Sequence, residues 1–304
     1  IVTGGLLIIF VVFFFGADLA SGQMTDSTRI FIGSDGSSDS LNLDTTKIIE
    51  DAALDIAQDR GLFIVTPDRQ MQLRILGSVR YLVVYDDTDL LTKNSLSTYQ
   101  IEVGDESQRI HNYYNGLSQS RLGFEVTRKT DKGNVFVRLE TDFVGINGFR
   151  IRHAYGQHQQ FLFGQTWSLF SQIKSLPATV GFGGPTGSIS VRTPQVRFTS
   201  QNIFPASTLS LGLEYFKPDV FVPDSITAKT FQLIPDITAR IEKTVNWGSF
   251  QLSGIVPILS GKSEEGEFVF RPGWGVSFST VIDSWARGKW YLHAAGGQAI
   301  TRFF

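Results

Sequence analysis

From Gln70 onward, stretches of about eight to twelve residues alternate apolar with polar side chains, and clusters of Gly, Asn, Asp and Pro separate them. Gly77, Val79, Tyr81, Val83 and Tyr85 share one face, and Leu122, Phe124 and Val126 share another opposite Arg121 and Glu125. Val135, Val137, Leu139 and Phe143 alternate with Arg138, Glu140 and Asp142. The pattern recurs at Val196 and Phe198, at Leu209 to Tyr215, at Ile237 to Ile241 and at Trp274 to Phe278. Period two repeated this often predicts antiparallel strands, each with one apolar face. About eleven such strands can be marked between Gln70 and Phe304.

The chain upstream reads differently. Gly5 to Phe15 is an unbroken apolar run, followed by Ala20-Ser21-Gly22, and Asp18 stops it short of the ~20 apolar residues a spanning helix needs. Residues 1–22 are therefore expected to be a secretory signal peptide. Residues 23–43, rich in Ser, Asp and Thr, are expected to be a flexible linker, because they cannot bury enough apolar surface to stay folded. Asp44 or Thr45 offers a helix cap, Thr46 to Arg60 is helical by pattern, and Gly61 closes it. Its stripe of Ile49, Ala52 and Ile56 is narrow, so this short periplasmic helix over 44–61 either meets a partner helix or lies against its own domain.

Which side of the strands is the core decides the class. In a secreted β-sandwich the apolar faces meet in a dry centre and strands average about five or six residues. Here several strands run near ten, the length that crosses a bilayer at ~45° tilt. Their polar faces carry both signs of charge within one strand, as in Arg138-x-Glu140-x-Asp142. Tyr81, Tyr85, Tyr215, Trp247, Trp274 and Trp290 stand near the ends of the apolar stripes, where aromatic girdles would lie. The expected fold is all-β, an antiparallel transmembrane β-barrel over 62–304; a secreted β-sandwich binding module is the alternative. Composition agrees with the barrel: 18% charged residues against the usual ~25%. A net charge of −2 without a basic excess argues against a nucleic-acid partner. Bacterial single-chain barrels close with an even number of strands, so eleven leaves the barrel expected to be incomplete at its C-terminal end.

Chemistry-bearing residues are mostly arginines. Arg80, Arg121, Arg138, Arg150, Arg152, Arg192, Arg197 and Arg240 all alternate with apolar neighbours. In a barrel this places them in the lumen, since a lipid-facing charge costs ~2–4 kcal/mol at the midplane. With Glu140 and Asp142 they are the candidate pore-lining residues. Each arginine can brace the wall through Glu125, Glu140, Asp142, Glu214 or Glu242; together they would draw anions, and Arg binds carboxylates bidentately. Between Ser171 and Arg192 runs a long Gly- and Pro-rich connection, of a length that is often functional. Lys174, Pro177, Phe182, Gly183, Gly184 and Pro185 are its candidate constriction residues. Arg150, Arg152, Arg192 and Arg197 flank it.

No catalytic, cofactor or metal site is expected. Gly261-Lys262-Ser263 lacks the earlier glycine of a P-loop, since Val256 stands there. His153 and His158 have no carboxylate at zinc spacing. Ser168 follows Trp167 outside any Gly-x-Ser-x-Gly elbow.

Five stretches in order carry a resemblance: Ser120-Arg-Leu-Gly-Phe124, Leu139-Glu-Thr-Asp-Phe143, Arg150-Ile-Arg-His-Ala-Tyr155, Leu162-Phe-Gly-Gln-Thr-Trp-Ser168 and Gln195-Val-Arg-Phe-Thr199. With Leu176-Pro177, Phe182-Gly-Gly-Pro185 and Arg192, this succession resembles the DcaP-like porins of Gram-negative outer membranes over roughly residues 60–300. The resemblance implies a sixteen-stranded homotrimeric porin with an inward, pore-constricting loop, preceded by a periplasmic helical segment that can trimerise. It implies outer-membrane lipid around the barrel and passage of small anionic organic solutes such as dicarboxylates. A structural barrel without an open pore is a further alternative.

Overall fold

The computed structural model describes residues 7–13, 29–33, 61–86, 112–145, 147–177, 187–216, 229–262, 268–284 and 288–303. The chain divides into two compact units, residues 1–154 with 178–186, and residues 155–177 with 187–304. The first holds β1 (Leu7–Phe13), β2 (Arg29–Gly33), β3 (Gly61–Val65), β4 (Met71–Asp86), β5 (Asn112–Gly116), β6 (Arg121–Thr130), β7 (Gly133–Asp142) and the start of β8 (Arg150–His158). Their order is β2-β3-β4-β6-β7-β8. β4 is long enough to serve two sets of partners: its first half pairs with β3 and β6, its second with β1 and β5. Only Asp131 and Lys132 separate β6 from β7.

The second unit takes the end of β8 and adds β9 (Phe161–Trp167), β10 (Arg192–Gln201), β11 (Ser207–Glu214), β12 (Lys229–Phe231), β13 (Asp236–Val245), β14 (Gly248–Val256), β15 (Ile258–Lys262), β16 (Phe268–Pro272), β17 (Trp274–Asp283) and β18 (Lys289–Gln298). Its main order is β8-β9-β10-β11-β13-β14-β17-β18, every pair with a defined register antiparallel, while β12, β15 and β16 form a small sheet of their own.

In both units the polarity of the strand faces is the reverse of a soluble sheet. Along β7, Val137 and Leu139 are exposed while Arg138, Glu140 and Asp142 are buried. Along β10, Val196 and Phe198 are exposed while Gln195, Arg197 and Thr199 are buried. β11 exposes Leu211 and Leu213 and buries Ser210 and Glu214; β17 exposes Trp274, Val276 and Phe278 and buries Ser277 and Ser279. Because side chains alternate strictly along a strand, each strand can present apolar residues outward only by turning every charge to the other face. In the second unit Tyr215 and the exposed tryptophans among the described residues stand at the ends of the strands. Trp247 and Trp290 lie at the β13–β14 turn and the start of β18; Tyr215 and Trp274 lie at the opposite end. Between them β14 spans nine residues. That is about 30 Å along the strand, close to the ~25 Å apolar band of outer-membrane proteins once tilted.

Several expectations shift in detail. Fifteen strands, not eleven, are described from Gln70 onward. The additional ones, β5, β12, β15 and β16, are three to five residues long, too short for period two to be counted. Gly261 and Lys262 of the rejected P-loop match lie in β15. The last strand ends at Gln298, because the chain turns at Ala299 (φ 65°) and buries Ile300 and Phe303. Leu7–Phe13, inside the expected signal peptide, runs as β1 against β4; a continuous apolar run has no period that separates a leader from a strand. Arg29–Gly33, inside the expected linker, is β2, built on the apolar triplet Ile30-Phe31-Ile32. The helix expected over 44–61 lies, up to residue 60, outside the described residues.

The reversed polarity gives a direct test. Val137→Arg puts a charge on the exposed apolar face in the middle of β7, and is expected to lower stability in lipid vesicles by about 2–4 kcal/mol, read from urea unfolding monitored by tryptophan fluorescence.

Candidate functional site

The buried face of the first unit carries a line of alternating charge whose members strand pairing brings together. In register, Arg74 on β4 stands opposite Glu125 on β6, and Glu125 stands opposite Arg138 on β7. Arg74 Nη1 donates to Glu125 Oε2 at 3.0 Å, and Arg138 lies 3.7 Å from the other Glu125 oxygen. Arg138 Nη2 donates to Glu140 Oε2 at 2.5 Å, and Arg152 Nε to Glu140 Oε1 at 2.8 Å. Arg152 Nη1 reaches Asp142 Oδ2 at 3.1 Å, and Arg150 grips Asp142 with two bonds of 3.0 and 2.6 Å. Arg121 stands opposite Asp142 in register, with its guanidinium 3.9 Å from Glu140.

The sequence therefore reads in space as Arg74, Glu125, Arg138, Glu140, Arg152, Asp142, Arg150, each carboxylate bridging two arginines. This pattern is what burial requires. A buried ion that loses one partner is uncompensated, and an isolated buried pair often fails to recover its desolvation cost; a run in which every inner member has two opposite neighbours avoids both. Arg150 closes the line with a side chain 42% exposed, so its guanidinium faces solvent as well as Asp142. Arg80 lies half-buried on the same face of β4, six residues from Arg74.

The second unit builds its buried face on β10, β11 and β13. Arg197 donates to Gln195 Oε1 at 2.9 Å and to the Trp167 carbonyl at 2.5 Å. Arg240 and Lys174 both approach Glu242, at 3.5 and 3.2 Å. Asp236 accepts the Ile258 amide and pairs with Arg302, whose guanidinium lies over the ring of Phe216. Arg192 is half-buried at the start of β10. It shares the parity of Val196 and Phe198, not of Arg197, and its guanidinium sits 3.4 Å over the centre of the Trp167 ring. Arg192 and Arg197 thus converge on Trp167, one through the ring and one through the carbonyl.

Beyond β9 the chain lies on this buried face. Ser168 to Leu176 is almost wholly buried. Its backbone runs against the return segment, with the Ser168 amide bonded to the Val191 carbonyl and the Gln172 amide to that of Ile189, both at 2.9 Å. Side chains of the wall hold it as well. Gln251 of β14 donates to the Ser171 carbonyl at 2.8 Å, and His293 of β18 meets the Ser175 carbonyl at 2.6 Å. Phe170 packs with Ile189, Ile255, Ile300 and Phe303. Lys174 and Pro177 belong to this described stretch; Phe182, Gly183, Gly184 and Pro185 lie outside the described residues. Sequence reasoning missed Arg74, although its even spacing from Arg80 on one strand put it on the same face. It also missed the wall residues that grip the segment, for which no local signal exists.

The two classes of ion pair should separate in double-mutant cycles read by unfolding in vesicles. Arg152 with Glu140, both buried, is expected to couple by about 3 kcal/mol. Arg150 with Asp142 is expected to couple by no more than about 1 kcal/mol, because solvent screens its half-exposed guanidinium.

The comparisons with known proteins bear on this arrangement. The pattern of the DcaP outer membrane protein family matches residues 39–243. Among solved structures, the crystal structure of the outer membrane channel DcaP of Acinetobacter baumannii matches with a TM-score of 0.62 and 24% identity. The match covers 74% of this chain and 63% of that one, so the chain spans less than two thirds of that channel's length. At this identity the likeness shows the fold. No curated protein matches. With two thirds of its length matched by the family pattern, an all-β antiparallel fold shared with the solved channel and apolar residues on the exposed strand faces, the chain belongs to the DcaP outer membrane protein family, whose place is the outer membrane of Gram-negative bacteria.

Proposed function

We propose that this chain forms a passive channel for small solutes, with a preference for anionic organic compounds such as dicarboxylates, and that it assembles as a homotrimer. The observation that carries this reading is the charged face. Five arginines (Arg74, Arg121, Arg138, Arg150, Arg152) surround three carboxylates in the first unit. A wall in which guanidiniums outnumber carboxylates sets up a positive potential, and a narrow aqueous path with low-dielectric walls focuses it. Arg150 is the member best placed to meet a solute: its guanidinium keeps solvent contact while Nε and Nη2 hold Asp142. Arg80, Arg121, Arg138, Glu140, Asp142, Arg152, Arg197 and Arg240 line the path in this reading, and the stretch holding Lys174 and Pro177 narrows it. In this reading residues 1–22, which include β1, are a removed leader, residues 23–43, which include β2, are a linker, and residues 44–61 are a periplasmic piece that supports trimer formation.

One observation favours a second reading. The apolar cluster of Phe170, Ile189, Ile255, Ile300 and Phe303 is packed on the same side as the charges. A barrel filled by such packing would be structural and closed. Planar bilayers separate the two. In a tenfold KCl gradient at low salt, where screening is least, the reversal potential is expected to favour chloride, and Arg150→Ala is expected to reduce that preference. A cation-selective current would refute the anionic preference, and an inserted protein without current would favour the closed barrel.

A further inference from the structure

Glu214 stands apart from the other carboxylates of the buried faces. Glu125, Glu140 and Asp142 bridge pairs of arginines. Glu214, at the end of β11 and fully buried, instead spends its oxygens on the segment that leaves β9. Oε1 accepts the Leu169 amide at 2.7 Å and the Thr238 hydroxyl at 3.0 Å, and Oε2 accepts the Ser168 hydroxyl at 2.6 Å. The same Ser168 oxygen then accepts the Phe170 amide at 3.0 Å, so one carboxylate organises three consecutive residues. The wall beside it is shaped for the segment. At Gly212, two residues earlier on β11, an added Cβ would lie 2.9 Å from Leu169 Cδ1 and 2.8 Å from Thr238 Oγ1. A side chain there would make Leu169 or Thr238 shift from its place beside Glu214.

We propose that Glu214 is a positioning residue: it latches the first turn of the inward segment to β11, and thereby sets where Ser168 to Pro177, with Lys174, crosses the path. A carboxylate whose oxygens are committed to a backbone amide and two hydroxyls on neighbouring elements fixes geometry rather than meeting solute. Anchoring at the base matters because later contacts of the segment, such as Gln251 to Ser171 and His293 to Ser175, hold carbonyls that a displaced base would carry away.

The chain has no cysteine, so a single Ser175→Cys reports the segment's seating through its reactivity with a polar thiol reagent. Ser175 is buried, and Cys nearly matches its size. In the otherwise unchanged, refolded protein the thiol is expected to be protected. In E214A it is expected to react about tenfold faster or more, since losing hydrogen bonds to a buried charge shifts a local opening equilibrium by at least that factor. E214Q is expected to restore protection. Its amide oxygen can accept from Leu169 and Thr238, and its amide nitrogen can donate to Ser168. Thr141→Cys, buried on β7 of the other unit, serves as the control and should be unaffected by E214A. Should E214A not reach the folded, heat-modifiable band, S168A with T238V removes two of the three donors and is expected to expose Ser175→Cys in the same way. Protection of Ser175→Cys unchanged in folded E214A, or in the double variant, overturns the proposal; so does equal exposure of Thr141→Cys, which would mean general loosening. The latch rests on the channel reading only for its consequence, a higher and noisier conductance in E214A. Exposed thiol with no current in any variant would uphold the latch and refute the channel.

Discussion

The strand's two-residue period, combined with an apolar exterior, constrains everything else in this protein. Once Val137, Leu139, Val196, Phe198, Leu211 and Leu213 face outward, no polar side chain on those strands has anywhere to go but the other face. Charge is thereby concentrated where little water reaches it, and it must be neutralised side chain by side chain. The register of β4, β6 and β7 meets that demand by setting Arg74, Glu125 and Arg138 directly across from one another. Glu140 and Asp142 extend the alternation to Arg152 and Arg150. A slip of one residue between β6 and β7 would turn the whole set outward, so the ion network and the apolar exterior specify the same register.

The second unit meets the same constraint in another way. There the buried face also receives a piece of the chain itself, and that piece brings backbone amides and carbonyls that need partners. Wall side chains supply them: Glu214, Gln251 and His293 each bond the segment's backbone. The apolar side chains of the segment, Phe170 foremost, find Ile255, Ile300 and Phe303. The face thus holds charge, hydrogen-bonding groups and a small apolar core in succession. In the channel reading, one wall would use that combination both to line a path and to position the segment across it.

How far the sequence could be read follows from which of these relations are local. Period two is local, so the long strands and the sidedness of Arg138, Glu140, Asp142, Arg197 and Arg240 were legible from residue order alone. So were the exposed aromatics at strand ends. Cross-strand partners were not, because which carboxylate meets Arg74 depends on the register of two strands some fifty residues apart. Arg192 illustrates the limit within a strand. Its odd distance from Arg197 is readable, but its stack on the buried Trp167 ring depends on the pairing of β9 with β10. Short strands such as β12 and β15 have too few residues to show a period. The grip of Glu214 on Ser168 and Leu169 spans about 45 residues, and nothing in the local pattern marks it. The likeness to a family supplied the expectation of an inward loop; the packed structure supplies what holds Ser168 to Leu176.

The central claim is that apolar strand faces meet lipid while charged faces meet the interior. Spin labels on single cysteines placed in turn at residues 136 to 141 of β7, in protein refolded into vesicles, test it most directly. Relaxation by oxygen, which concentrates in lipid, should peak at positions 137 and 139, whose side chains leave the wall. Relaxation by a water-soluble nickel complex should be low at those two positions and should not rise there relative to 138 and 140. A period of two with oxygen maxima at 137 and 139 is the predicted result. Equal protection of positions 137 and 139 from both reagents, as in the dry centre of a sandwich, would contradict the account.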